Sequence, residues 1–341
     1  MAPTSAAVAV GDGGPPRLPS SVRSQPLAFV ASGSSSSGIY LGRIGESSPR
    51  KLVEGPHSFA ALDWAPDGSR LAFNADLDGD FDIWAVDPDG ANLVNLTPDS
   101  PSADAEPRWS PDGTEIAFTS NRSGVFDLYL MKADGTDVRA LVTGTTQISD
   151  VRWAPDGQRL AFTRASAGSA SRSEIQVVNR DGTGLVTLTS TPTAEFAPRW
   201  SPDGKAILFL SQRLGALAVF VMAADGTAAT RVSPRRFAAT AAEWSPDGRR
   251  IAFVGQRVNR DEPTDVFVLR LGDRATVNLS RTLDYNERAL AWSPDGKAIA
   301  FTAAFAGQER IFVTGSRAGA TLATLGMNLV RDHWPAWQPP R

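Results

Sequence analysis

Residues 108–113 read RWSPDG, and close copies stand at 63–68 (DWAPDG), 152–157 (RWAPDG), 199–204 (RWSPDG), 243–248 (EWSPDG) and 291–296 (AWSPDG). Each is a tryptophan followed by a tight reversal. Proline pre-sets φ at the second turn position, aspartate suits the third, and glycine accepts the positive φ that closes the turn. The tryptophans, Trp64, Trp109, Trp153, Trp200, Trp244 and Trp292, recur every 44–48 residues, and 45 residues further on stands Trp337, in PAWQP. A fixed period of this length is the signature of a repeat architecture.

A second marker follows each turn: LAFNAD at 71, IAFTSN at 116, LAFTRA at 160, ILFLSQ at 207, IAFVGQ at 251 and IAFTAA at 299. A seventh, LAFVAS, starts at Leu27 with no tryptophan turn before it. The chain therefore opens partway through one unit and closes by supplying the missing start, so six whole units and two complementary fragments make seven. In the clearest unit the four strands are AEPRW, EIAFTS, FDLYLMK and DVRALVT. A further Asp-Gly turn joins the third and fourth strands, at Asp89-Gly90, Asp134-Gly135, Asp181-Gly182 and Asp225-Gly226.

Strands such as IAF and LYLM are apolar on both faces, which requires a sheet covered on each side. Seven such sheets can bury one another only by stacking radially. The expected fold is all-β: a seven-bladed β-propeller of four-stranded antiparallel blades. Its ring is closed by the C-terminal strand joining the N-terminal blade. The repeat tryptophans then wedge blade against blade, each burying on the order of 200 Å².

The sequence has 341 residues, 42% of them hydrophobic and 21% charged, a net charge of −3 and no cysteine. That balance argues against a general nucleic-acid or anionic-membrane surface. The missing cysteines exclude disulfides, thiolate metal sites and thiol nucleophiles. No apolar run is long enough to span a bilayer. Residues 1–25, rich in Pro, Gly, Ser and Ala, read as a flexible leader or linker. Residues 26–341 read as the propeller, and a closed ring without free sheet edges is expected to be monomeric.

The order WSPDG, IAF, late Asp-Gly turn resembles the repeats of the TolB-like propellers, relatives in shape of the WD-repeat proteins. The resemblance covers residues 26–341. It implies a binding scaffold for a protein or peptide partner and suggests an extracytoplasmic location, periplasmic or secreted. SAAVAV near the N-terminus is too short for a signal h-region and has no basic n-region before it. That family carries an α/β domain ahead of a six-bladed propeller, whereas this chain counts to seven. Prolyl-oligopeptidase-type enzymes use similar repeats beside a hydrolase domain with a G-x-S-x-G elbow, and SGSSSSG at 32–38 is a low-complexity loop rather than an elbow.

Short turns after strands one and three place the longer connections at the opposite end, where functional loops tend to sit. Asp82, Asp127, Asp265 and Glu174 recur at the head of the third strand, which argues for a hydrogen-bonding structural role. Charge at the long-loop end is divided, with Asp76, Asp78, Asp80, Asp104 and Glu106 early in the chain and Arg213, Arg235, Arg236, Arg257 and Arg260 later. Such a face is either an ordinary solvated surface or a docking surface whose polarity orients a peptide. Carboxylates five residues before the repeat tryptophan, Asp104, Glu195, Glu287 and Asp332, either ring the channel mouth or cap backbone amides. Tyr285 and Trp334 are non-repeat aromatics that could anchor a partner.

No cofactor is required by the sequence. Asp76, Asp78 and Asp80 place hard oxygens at alternate positions, as calcium prefers, although the spacing is not that of an EF-hand and a solvated turn tip would look the same. The two histidines, His57 and His333, fall at one end of the ring. They support an alternative reading as a metal-dependent carbohydrate-active enzyme of lyase or hydrolase type, since some seven-bladed propellers are metal-dependent polysaccharide lyases.

Overall fold

The computed structural model describes residues 18–33, 35–98, 102–167, 172–258, 260, 262–280, 286–305, 308–317, 322–325 and 331–340. Seven four-stranded antiparallel sheets follow one another along the chain. Blade 1 is assembled from Arg331–Trp337, Leu27–Ser32, Ser37–Gly42 and Arg50–Gly55, in that spatial order. Its two outermost pieces of sequence meet as predicted, with Leu27 paired to Trp337 and Ala28 to Ala336. The innermost strands of blades 2 to 7 are Phe59–Trp64, Asp104–Trp109, Ile148–Trp153, Glu195–Trp200, Phe237–Trp244 and Asn286–Trp292. Each touches the next, and Arg331–Trp337 touches both Asn286–Trp292 and Phe59–Trp64, so the cycle closes.

The recurring Phe of the second strand forms the middle of each blade: Phe29, Phe73, Phe118, Phe162, Phe209, Phe253 and Phe301 are all fully buried. Seven apolar clusters lie between consecutive blades, among them the seam between blades 7 and 1, where Leu27, Phe29 and Trp337 meet Ala300, Ile311 and Val313. The tryptophans lie in these joints, and most donate backward. The indole N–H of Trp64, Trp153, Trp244, Trp292 and Trp337 reaches the carbonyl of the residue before the preceding blade's tryptophan: Ala336, Arg108, Arg199, Glu243 and Ala291 respectively, at 3.0–3.3 Å. Trp109 and Trp200 lie in the same joints without an indole acceptor.

The turns also stack. Gly113 has φ +70°, and it faces Pro66 of the preceding turn, where a Cβ would make ordinary van der Waals contact with the proline ring. Gly248 meets Pro202 in the same way. Glycine is called for here by the positive φ of the reversal, and the neighbouring proline packs against it at ordinary contact distance.

The innermost strands are bulged. Their pairing slips at Ala60/Asp63, Ala105/Arg108, Ser149/Arg152 and Phe196/Arg199. Ala61, Glu106, Asp150 and Ala197 consequently adopt φ of 53–56°, a conformation that costs a non-glycine residue about 1 kcal/mol or more. Three polar contacts between blades hold this shape: Glu106 Oε2 accepts the amide of Asp150 (2.8 Å), Asp150 Oδ2 that of Ala197 (3.3 Å), and Asp63 Oδ2 that of Trp109 (2.7 Å).

The ordered fold begins before the boundary read from composition. Ser20–Ser24 is a short helix whose Val22, together with Leu18, is buried against Leu27 and Trp337 at the 7–1 seam. No helix among the described residues is long and apolar enough to cross a membrane.

Trp337 tests the closure. Trp337→Ala is expected to lower unfolding free energy by about 3–5 kcal/mol, and Trp337→Phe, which keeps one aromatic ring but loses the N–H and the pyrrole half of the indole, by a smaller amount of about 1–3 kcal/mol. Urea unfolding followed by circular dichroism measures both, and an alanine variant within about 0.5 kcal/mol of the parent would show that the seam is dispensable.

Candidate functional site

At the long-loop end the first layer of polar groups is structural. Asp82 opens the third strand of blade 2 and accepts hydrogen bonds from Asn95 Nδ2 (2.7 Å) and Thr97 Oγ1 (3.0 Å). Thr97 Oγ1 in turn accepts the amide of Ile83. Blade 6 repeats the device with Asp265, Asn278, Ser280 and the amide of Val266. In blades 2 and 6 the acid at the strand head thus belongs to a clamp that fastens the fourth strand to the third, whereas Asp127 of blade 3 accepts the hydroxyl of Ser123 in the loop before it.

Two residues expected on a docking surface are fixed within a second device. Asp104 is fully buried, and Arg122 Nη2 donates to both its oxygens at 2.9 and 3.1 Å. The guanidinium lies over the rings of Phe118 and Tyr129. In blade 5, Arg213 pairs with fully buried Glu195 and lies over Phe209 and Phe220. Desolvated carboxylates of this kind need a paired cation, so Asp104 and Arg213 are committed inside the blades. Glu287 is likewise buried, and the hydroxyl of Thr264 donates to its backbone carbonyl at 3.0 Å. Glu106 faces its neighbouring blade through the Asp150 amide. Of the carboxylates expected at the channel mouth, Asp104 and Glu195 are thus internal fasteners, and Glu287 is buried beside Thr264.

The remaining basic residues gather on blade 6 and the loop leading into it. Arg235, Arg236, Arg257 and Arg260 are exposed. Arg236 and Arg257 line a cleft of about 610 Å³ with Phe237, Phe267, Glu262 and Asn278. The Arg236 guanidinium lies 5.1 Å from the Phe237 ring centroid. Glu262 meets Arg260 at 3.0 Å and Arg257 at 4.0 Å. Arg231 supports the loop by donating to the carbonyls of Ser233, Pro234 and Phe237; burial first, and then the charge of Arg235, lower its guanidinium below the usual range. Arg236 and Arg257 therefore share the cleft with the half-buried carboxylates of Glu262 and Asp265, the latter held by Asn278 and Ser280, while Arg235 and Arg260 are exposed beside it.

Blade 2, nearly across the ring, is acidic. Asp76 turns away from its neighbours: its Oδ1 accepts the amide of Ser58 (2.7 Å), and its backbone carbonyl sits 3.1 Å from His57 Nδ1. The carboxylates that converge are instead Asp78, Asp80 and Asp82, with oxygens within 4.8 Å of one another. The candidate cation set read from sequence thus shifts by one member, because the hairpin carries Asp76 toward the preceding loop and Asp82 inward. Burial raises the Asp82 carboxyl to about 6; the Asn95 and Thr97 hydrogen bonds oppose this shift, and the charges of Asp78 and Asp80 add to it. Tyr285 lies outside the described residues. Asp332, His333 and Trp334 are described only as backbone of the innermost strand of blade 1, with Asp332 opposite Ala31 and His333 opposite Val30.

Asp82 binds its proton more tightly in the folded chain, near 6, than at its ordinary value of 3.8. Its contribution to stability is therefore present at low pH and lost as pH rises through that window. Melting temperature measured between pH 4 and 7.5 should fall less steeply in Asp82→Asn than in the parent. Parallel curves would contradict the assignment.

The family profile described as TolB beta propeller domain matches residues 16–171 and 147–262. No curated protein matches the sequence. Among solved structures the fold is similar to TolB from Acinetobacter baumannii, at TM-score 0.63 and 15% identity over 94% of this chain and 68% of that one. It is also similar to an oligogalacturonate lyase in complex with manganese, at TM-score 0.65 and 14% identity over 87% and 83% of the two chains. A puromycin-hydrolyzing peptidase of Mycobacterium tuberculosis is similar at TM-score 0.70 and 15% identity, over 91% of this chain and 55% of the peptidase. Repeat motif, blade topology and profile agree, and the chain belongs to the TolB beta propeller family.

Proposed function

We propose that this chain is a non-catalytic binding module, monomeric and extracytoplasmic, that receives an acidic peptide or protein segment at the blade 6 cleft. The observation that carries this reading is the group of four exposed guanidiniums on and beside a cleft whose two carboxylates are already engaged, Glu262 by Arg257 and Arg260 and Asp265 by Asn278 and Ser280. Guanidiniums bind carboxylates through paired charge-assisted hydrogen bonds, and the buried rings of Phe237 and Phe267 give the cleft a rigid base. The acidic group on blade 2 repels such a segment and so fixes its direction across the face. Likeness to TolB is consistent with a protein partner.

The enzyme reading has less support from the geometry. Asp78, Asp80 and Asp82 offer the hard oxygens that calcium or another divalent cation favours, and such a cation would hold the blade 2 hairpin. Asp82 is already engaged by Asn95 and Thr97, and His57 is turned toward Asp76 and Ser58, outside the converging group.

The probe for the cleft is a fluorescein-labelled peptide of ten glutamates, followed by anisotropy at low salt. Arg236→Glu combined with Arg257→Glu should weaken binding at least about tenfold, the equivalent of one lost charge-assisted hydrogen bond. Binding to the parent should also decline as salt is raised. Unchanged affinity in the double variant would remove the cleft as the docking site.

A further inference from the structure

A second basic constellation lies inside the ring, away from the blade 6 cleft. The residue immediately before each repeat tryptophan stands at one level of the innermost strands. On three consecutive blades that residue is arginine: Arg108, Arg152 and Arg199. Asp63 and Glu243 flank the arc, and alanines complete the level on blades 7 and 1. The side chains converge on the axis rather than on separate outer surfaces. Asp63 on blade 2 interacts with both Arg108 and Arg152, and Arg152 on blade 4 interacts with Arg108, Arg199 and Glu243 on blade 6. Electrostatic coupling between charges two blades apart, together with the Arg199–Glu243 ion pair at the same level, points to side chains directed into the channel.

The three guanidiniums share one pose. In each, Nη1 donates to the carbonyl of the residue just before it: Pro107 at 2.8 Å, Val151 at 2.7 Å and Pro198 at 2.9 Å. That common anchor engages one N–H group of Arg108 and of Arg152. Arg199 Nε meets Glu243 Oε2 at 3.0 Å. Arg108 and Arg152 have no carboxylate at ion-pair distance among the described residues, and both stay partly open to solvent along the channel. Enclosure, followed by the like charges of Arg108 and Arg199, pulls the Arg152 guanidinium well below its usual range, and the charges of Glu243 and Asp150 oppose this only in part. An enclosed cation set between two others is costly unless something neutralises it.

We propose that Arg108, Arg152 and Arg199 form an axial site for an oxyanion, a carboxylate or phosphate group carried by a small molecule. The planar guanidinium fork matches both groups bidentately. An anion held here gains Arg108 and Arg152 fully and Arg199 in competition with Glu243. The site is near the tryptophan-turn end of the inner strands and the proposed peptide cleft is on the opposite rim, so each can fail independently.

The test titrates inorganic phosphate and, separately, citrate into the full chain at constant ionic strength. Sodium chloride is the reference, and the readouts are melting temperature and calorimetry. At least one of the two should stabilise the protein beyond chloride, and the tighter binder identifies the group. Arg152→Gln should weaken that binding about tenfold to a hundredfold. Without anion, the same variant should melt no lower than the parent, because the central like charge is gone. The variant with Arg236→Glu and Arg257→Glu should keep the response. If Arg152→Gln does not fold, Arg108→Gln serves the same comparison from the end of the arc. No stabilisation beyond chloride by either anion, or an undiminished response in the arginine variant, would overturn the proposal.

Discussion

A four-stranded sheet with apolar residues on both faces cannot face water, and this one constraint organises the molecule. Every blade needs a neighbour on each side, so a row of blades has two exposed ends until it bends round and covers them. The clusters between consecutive blades are that cover, and the cluster holding Leu27, Phe29 and Trp337 is the place where the row meets itself. Stability belongs to the joints more than to any blade, as expected for stacked repeats. The indole N–H bonds add direction to burial, since each points back to a fixed carbonyl of the blade before.

The same joints decide which polar groups are free to act. A carboxylate or guanidinium near a joint is drawn into fastening it, as Asp104 and Arg122 or Glu195 and Arg213 show. Arg257 occupies the same position in blade 6, but Ala239 stands there in place of the acid and the arginine stays exposed. The bulge in the innermost strands has a comparable effect inside the ring. It spends local backbone strain at Glu106 and Asp150 to bring their carboxylates onto neighbouring amides. The next positions along the strand, Arg108 and Arg152, then line the axis.

Blade number, strand order and ring closure were legible because tryptophan, turn and phenylalanine repeat with one period, and the two incomplete units complement each other. The pairing of Asp104 with Arg122 was harder to see. Its trace is a spacing of 18 residues from acid to arginine, repeated at Glu195 and Arg213, and it becomes meaningful only once the hairpin folds the two together. Leu18 and Val22 were hidden within a Pro- and Ser-rich stretch, since the apolar surface that covers them comes from the far end of the chain. The axial arginines were in plain view as the variable letter before each tryptophan. A motif read for what its copies share conceals the position where they differ.

Leu27 pairs with Trp337, so the two outer ends of the seam strands emerge side by side. Tension applied to both ends of the chain would therefore open this ladder like a zipper, one rung at a time, rather than slide it in shear. The short helix sits at the mouth of that zipper. Gln25 Nε2 donates to the Gln338 carbonyl at 3.1 Å, the Gln338 amide donates to Pro26 at 3.0 Å, and Val22 is fully buried beside them. Residues 18–26 thus act as a latch across the first rungs, and a pull must release the latch before any blade comes apart.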